Sequence, residues 1–180
     1  MKLVILDRDG VINIDQPDDY VKSEGEWQAI PGSLEAIGTL SRNGFHVVIL
    51  SNQAGLAHGR LTIEDLNAIH RKMLTHLSQY GGVIDAILFC PHAPEDGCDC
   101  RKPNPGLFHE LSRRLRVSLE GVTAVGDKLS DIEAARAAGA SPVLVRTGYG
   151  QGLVDAGEVP AGVPVYADLA AVVTDLVARG

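Results

Sequence analysis

Asp7 and Asp9 stand one residue apart, directly after the short apolar run Leu3–Leu6. At the end of a strand, Asp7 would expose its carboxylate over the sheet edge, and Asp9 could point back into the same space. A carboxylate nucleophile can split a displacement at phosphorus into two steps through an aspartyl phosphate. An anionic substrate then calls for a cation, and Mg²⁺ with oxygen ligands is suited to that. A second acid is needed to protonate the leaving oxygen and later to activate water. The pair gains weight from the polar residues at the ends of the other apolar runs. Ser51-Asn52-Gln53 comes after Val47–Leu50, Cys90-Pro91-His92 after Ile84–Phe89, Gly126-Asp127-Lys128 and then Asp131 after Val122–Val125, and Arg146-Thr147 after Val143–Val145. In open α/β sheets ligands bind at the carboxyl ends of strands. Helix capping and turn formation account for one or two such polar residues. They do not account for an acidic pair after the first run and another after the fourth.

All three cysteines lie within Cys90-x-His92-x5-Cys98-x-Cys100. An odd, clustered set is a poor disulfide framework. Three thiolates and one imidazole suit tetrahedral Zn²⁺ with no open position, which is a structural site. The loop runs straight into Arg101-Lys102, so zinc would fix two cations against the substrate.

The elements that must carry these residues are read from periodicity. Leu34, Ile37 and Leu40 recur at helical spacing up to Asn43-Gly44. Ile63, Leu66, Ile69, Met73, Leu74 and Leu77 form a longer stripe behind Thr62, a good N-cap. Asn104-Pro105 reads as an N-cap followed by Pro at the first helical position, leading into Leu107, Phe108, Leu111 and Leu115. Ile132–Ala138 predicts a helix stopped at Gly139, and Ala170–Ala178 a closing one. Val163–Tyr166 is a sixth strand candidate, and residues 146–162, rich in glycine, read as a loop. Strand and helix alternate, and the strand runs are apolar throughout. That pattern predicts an α/β fold with a parallel sheet and helices on both faces. Residues 1–180 read as a single domain, with only a loop over 13–31 where a larger covering domain could have been inserted.

Four segments resemble the motifs of the haloacid dehalogenase-like (HAD) phosphatases, in the family's order: Asp7-Arg8-Asp9-Gly10-Val11-Ile12-Asn13, Ser51-Asn52-Gln53-Ala54-Gly55, Arg101-Lys102-Pro103 and Gly126-Asp127-Lys128-Leu129-Ser130-Asp131. Together with the Cys/His loop, the set is similar to the heptose bisphosphate phosphatase family within that group, and more distantly to histidinol-phosphate phosphatases. Some relatives carry a longer segment between the halves of the Cys/His loop than the five residues found here. The resemblance implies a Rossmann-like HAD core without a large cap domain. It implies Asp7 as nucleophile and Asp9 as general acid/base, with Ser51 and Lys102 on the transferred phosphoryl group. Mg²⁺ would be held by the Asp7 carboxylate, the Asp9 backbone carbonyl and Asp127, with Asp131 supporting from outside. Asp15, Gln16, Pro17 and Asp18, with Asn52, Gln53 and Ala54, would line the substrate pocket; Arg101 would recognise substrate and Lys128 would contact phosphate. Zn²⁺ would sit on Cys90, His92, Cys98 and Cys100. The implied substrate is a phosphorylated sugar, and its product would feed nucleotide-activated heptose for cell-surface polysaccharide.

Composition narrows the alternatives. Sixteen Lys+Arg against 23 Asp+Glu give a formal net charge of −7, and no basic stripe is visible, which argues against a nucleic-acid partner. No apolar run approaches the roughly 20 residues that span a bilayer, and the first residues lack a secretory pattern, so no membrane partner and a cytoplasmic address are expected. Low aromatic content, 4%, and the absence of heptads leave a monomer as the expectation. A phospho-accepting receiver module also sets an aspartate beside Mg²⁺ on a parallel sheet; Asp9, which would let the phosphoenzyme turn over, separates the two readings. A histidinol-phosphate phosphatase would share the chemistry but accept an imidazole and an amine.

Overall fold

The computed structural model describes residues 1–16 and 18–180. In chain order the elements are β1 (Lys2–Leu6), α1 (Ser33–Arg42), β2 (Phe45–Asn52), α2 (Ile63–Ser78), β3 (Ala86–Cys90), α3 (Gly106–Leu115), β4 (Thr123–Gly126), α4 (Leu129–Ala137), β5 (Ser141–Val145), α5 (Gly150–Asp155), β6 (Val165–Tyr166) and α6 (Leu169–Arg179). A single 3₁₀ turn, Pro94–Asp96, interrupts the Cys/His loop.

The six strands form one parallel sheet in the order β3-β2-β1-β4-β5-β6. Side chains alternate across a strand, and β1 shows it. Val4 and Leu6 pack with Leu34, Ile37, Ile69, Met73 and Val172 from α1, α2 and α6. Leu3 and Ile5 pack with Leu107, Leu111, Ala134 and Ala135 from α3 and α4. Both faces are therefore covered, as the continuous apolar runs require. Strand order reverses between β1 and β4, and the crevice at such a reversal is where open α/β sheets bind ligands.

Local chemistry sets the helix starts. Thr62 and Asp65 form a reciprocal capping box on α2, with Thr62 N donating to Asp65 Oδ2 at 2.8 Å and Asp65 N to Thr62 Oγ1 at 3.2 Å. Asp168 caps α6 by accepting from Ala171 N at 2.9 Å. Four expectations need correction. The third strand begins at Ala86, not Ile84, because the Asp85 carboxylate takes the Val47 N–H at 2.9 Å at the start of the ladder. Asn104 does not cap α3: its amide donates to Cys98 O at 2.9 Å, and Pro105 occupies the cap. Residues 146–162 are not all loop, since Gly150–Asp155 closes a short helix. The sixth strand keeps only Val165–Tyr166; Pro164 and Val163 precede it, Pro164 offering no N–H for a ladder.

Candidate active site

Every strand that flanks the crevice delivers polar side chains to one edge. Asp7 follows β1, its N–H donating to Val125 O at 2.9 Å, which ties it to β4. Its carboxylate is buried and lies 3.1 Å from Lys102 Nζ. Burial first, and the neighbouring Asp131 carboxylate second, push the Asp7 carboxyl up to about 6 against the pull of Lys102 and Lys128. Lys102 is buried too, and its ammonium is fully engaged, by Asp7, by Asp131 Oδ1 at 2.6 Å and by Leu50 O at 2.8 Å. Burial alone would lower its pKa; the Asp131 and Asp7 charges outweigh that and raise it, so Lys102 remains a cation.

Two further contacts place Lys102. Asn52, at the end of β2, forms a reciprocal pair with its backbone: Lys102 N donates to Asn52 Oδ1 and Asn52 Nδ2 donates to Lys102 O, each at 3.0 Å. Asp131 holds the first turn of α4 by accepting from the Asp127 and Lys128 N–H groups at 3.1 Å, while its other oxygen holds Lys102. Both oxygens of Asp131 are thus occupied, in keeping with support from outside a metal's ligand shell.

Asp9 is gripped on every side. Arg8 donates to Oδ1 at 2.9 Å and to Oδ2 at 3.2 Å, Asn13 to Oδ1 at 2.9 Å, and Gln53 to Oδ2 at 3.0 Å. Burial would raise its pKa, but the Arg8 charge and these hydrogen bonds prevail and lower it. Gln53 also donates to Ser51 Oγ at 2.7 Å, while the Ser51 hydroxyl's own nearest acceptor, Asn52 O, is 3.5 Å away. The Ser51 proton is therefore weakly held and free to turn to an incoming oxygen.

Asp127 is the strongest pointer to a cation. It is fully buried after β4, and its carboxyl is pushed well up, by burial first and by Asp7 and Asp131 next. Oδ2 accepts from Tyr149 N at 2.9 Å, but Oδ1 is buried with no partner. A buried carboxylate oxygen without a partner costs free energy unless an unseen group satisfies it. Carboxylate oxygens of Asp7 and Asp127 lie within 4.8 Å of one another, room for ligands about 2.1 Å from a common Mg²⁺, with the occupied Asp131 carboxylate beside them. The backbone is tailored to this carboxylate: a Cβ on Gly10 or Gly148 would fall 2.2 or 2.1 Å from Asp127 Oδ2, and both glycines have positive φ.

Above these groups opens a cavity of about 210 Å³, with a smaller one of about 20 Å³ at its floor between Asp7, Asp9, Lys102 and Asp131. Of the residues expected to line a substrate pocket, Asp15, Asn52, Gln53, Ala54, Arg101 and Lys128 do so. Gln16 and the exposed Asp18 are not part of its lining, and Pro17 lies outside the described residues. Asn52 turns its amide to the Lys102 backbone, and Gln53 turns its amide nitrogen to Asp9 and Ser51. Arg101 is the reverse case, because its Nη1 is buried with no partner. Lys128 is 3.5 Å from Asp15 Oδ2 and stands over the Tyr149 ring at 5.0 Å. Sequence reasoning missed Tyr149, which also lines the cavity, as does Tyr20 of the loop over 13–31. Tyr149 could have been found by tracing the fifth strand end two residues past Thr147.

The Cys/His loop brings its four side chains to one point. Cys100 Sγ lies 3.1 Å from Cys90 Sγ and 3.6 Å from Cys98 Sγ, and His92 Nδ1 is 3.2 Å from Cys100 Sγ. A zinc tetrahedron with Zn–S near 2.3 Å has S···S edges of about 3.8 Å, so the donor set is already close to that shape. No disulfide joins these cysteines.

The HAD-hydrolase-like family model matches residues 99–172. The chain is 53% identical to the D-glycero-beta-D-manno-heptose-1,7-bisphosphate 7-phosphatase of Bordetella bronchiseptica over 176 residues, 98% of each chain. It is 46% identical to the protein of the same name from Pseudomonas aeruginosa, over 97% of each. Its fold superposes on the crystal structure of D,D-heptose 1,7-bisphosphate phosphatase from B. bronchiseptica, complexed with magnesium and phosphate, with a TM-score of 0.97, 52% identity and full coverage of both chains. Likeness of that depth, over a crevice built for a cation and an anion, shows that the chain belongs to the heptose-1,7-bisphosphate 7-phosphatase family of HAD-type hydrolases.

Proposed function

We propose that this chain is a Mg²⁺-dependent phosphatase that removes the 7-phosphate of D-glycero-β-D-manno-heptose 1,7-bisphosphate, leaving the 1-phosphate. The observation that carries the reading is Asp7, buried at the strand-order reversal, 3.1 Å from Lys102 and grouped with Asp127, one of whose oxygens has no partner. The β anomer and the position cleaved are those named for the relatives.

The Asp7 carboxylate attacks phosphorus, the bond from phosphorus to the C7 oxygen breaks, and Asp9 gives that oxygen a proton. Asp9 then takes a proton from water, the resulting hydroxide attacks the aspartyl phosphate, and the bond to Asp7 breaks to free inorganic phosphate. The Lys102 ammonium, held against Asp7, adds positive charge beside the transferred phosphoryl group, and the Ser51 hydroxyl is free to donate to its oxygens, the kind of fixed electrostatic stabilisation that dominates such reactions. Arg101, with its unpartnered Nη1, is placed to receive a second anionic group. Mg²⁺, held by Asp7, the Asp9 carbonyl and Asp127, supplies positive charge that lets an anionic phosphate approach an anionic nucleophile. Without substrate Asp9 is held in its carboxylate form, the state that the water-activating step requires; to act as the acid of the first step it must take up the proton that arrives with the incoming phosphate. Zn²⁺ on Cys90, His92, Cys98 and Cys100 is structural, ordering the loop that ends in Arg101 and Lys102. The protein is read as a monomer of one domain acting on a small sugar phosphate; no described helix is long and apolar enough to cross a membrane.

The test is phosphate release with Mg²⁺ from both heptose 1,7-bisphosphate anomers and from histidinol phosphate in parallel. Preference for the β anomer is expected, and Asp7→Asn is expected to abolish release while leaving the fold intact. Preference for histidinol phosphate would keep the chemistry and overturn the substrate. Full activity of Asp7→Asn would end the covalent mechanism.

A further inference from the structure

Arg8 lies between the two catalytic aspartates in sequence, yet its side chain is completely buried. A guanidinium has five N–H donors and no way to shed its charge, so burial demands that each edge of its fork find an acceptor. Nε and Nη2 go to Asp9, at 3.3 and 2.9 Å from Oδ1. Nη1 points the other way, across to α2, where it meets His70 Nε2 at 3.2 Å. Arginine can only donate, so His70 Nε2 accepts and its ring proton sits on Nδ1. Burial first, and the Arg8 charge second, push the His70 imidazole down to about 4, so at neutral pH the ring is the neutral acceptor this contact needs. The ring is itself packed against Phe89 of β3, with centroids 6.5 Å apart.

We infer that His70 is a positioning residue for catalysis: through Arg8 it fixes the Asp9 carboxylate, so that a side chain on α2 sets the aim of the general acid/base. This rests on the phosphatase reading of Asp9. The helical stripe around His70 is otherwise apolar, with Leu66, Ile69 and Met73 buried beside it. A polar ring at that place in a core-facing stripe needs a polar reason, and Arg8 Nη1 supplies it. Without the acceptor, one edge of a buried guanidinium loses its partner and the fork is free to rotate about its bonds to Asp9. Asn13 and Gln53 would still hold the two Asp9 oxygens, so a partial loss of function is expected, not a complete one.

The test compares His70→Leu with His70→Gln in the Mg²⁺-loaded enzyme. Glutamine keeps a side-chain carbonyl acceptor, and leucine keeps bulk alone. General acid–base catalysis contributes roughly 10²–10⁴-fold, and His70→Leu is expected to forfeit about tenfold of it in kcat, with KM within about twofold of the parent. His70→Gln is expected to recover most of that loss, at an unchanged thermal midpoint. Undiminished kcat in His70→Leu, equal losses in both variants, or a rise in KM at constant kcat would each overturn the inference. Asp9→Asn serves as the separate control: undiminished turnover there would sink the acid/base reading itself, whatever His70 does.

Discussion

Asp127 shows how much backbone is committed to one carboxylate. Gly10 and Gly148 approach it from two loops, and Tyr149 N–H holds Oδ2, leaving Oδ1 for a cation. Gly148→Ala would place a methyl 2.1 Å from Oδ2 at a φ of +59°, so the carboxylate must move. A Mg²⁺ titration should show the half-maximal concentration rising about tenfold, in line with the roughly 10–100-fold effects of disturbing a metal's supporting groups. An unchanged titration would mean that Asp127 does not hold the ion. The same group of acids makes a pH prediction. Asp7 titrates near 6 in the metal-free fold against an ordinary 3.8, chiefly from burial, so protons compete with Mg²⁺ there. Apparent Mg²⁺ affinity should fall as pH drops through about 6. Because the metal-free folded state holds the proton more tightly than the unfolded chain, the Asp7 contribution to metal-free stability should decline as pH rises from about 4 to 6. Calorimetry with and without chelator reads both. At this scale the acids, Ser51 and Lys102 were legible from the ends of apolar runs and from the motifs they complete. The direction of Asn52 and Gln53 toward Lys102 and Asp9 was not, since a sequence does not say which of two nearby polar groups an amide will choose.

Among the elements, the Cys/His loop is the one whose order would, on the zinc reading, rest on a bound metal as well as on apolar packing. It is joined to β3 at Cys90 and to Lys102 two residues past Cys100. Asn104 ties it back through Cys98 O, and Gly106 N donates to Asp99 O at 3.0 Å as α3 begins. Cys98→Ser should reduce bound zinc and raise hydrogen exchange across residues 90–103, with a loss in kcat/KM of about tenfold or more as Lys102 and Arg101 lose their fixed positions. Retained zinc and undiminished kinetics would refute the link. That the four Cys and His side chains would gather at one point could be read from residue type and spacing alone. The start of α3 was misread because Asn104 has two uses for its amide and the loop takes it. The short α5 was invisible for another reason: Gly150 and Gly152 weaken a helical reading, and the helix has no side-chain cap.

For the whole molecule, the sheet order is what turns scattered motifs into a site. Asp7 and Asp127 sit at the ends of adjacent strands although far apart in the chain, because β4 pairs with β1. Alternating apolar runs and helical stripes made the parallel sheet and its two covered faces legible; strand order could only be inferred through the resemblance. Crowding Asp7, Asp127 and Asp131 within 4.8 Å stores repulsion that a cation relieves. Ligand binding at about 100 times Kd adds about 2.7 kcal/mol to stability, which for a chain of this size corresponds to a rise in thermal midpoint of about 5–10 °C. A melt with saturating Mg²⁺ against chelator checks this, and Asp127→Ala should lose most of the rise. No shift in the parent protein would mean that the acids are content without an ion.

Placing Lys102 two residues beyond the last thiolate of the Cys/His loop also has a meaning at the level of the cell. If zinc orders that loop, the enzyme's output tracks the supply of a nutrient that takes no part in its reaction. In a zinc-starved culture the polypeptide would accumulate as usual while its bisphosphate substrate backed up, so protein abundance would overstate flux. Adding zinc would then restore turnover within minutes, without new synthesis.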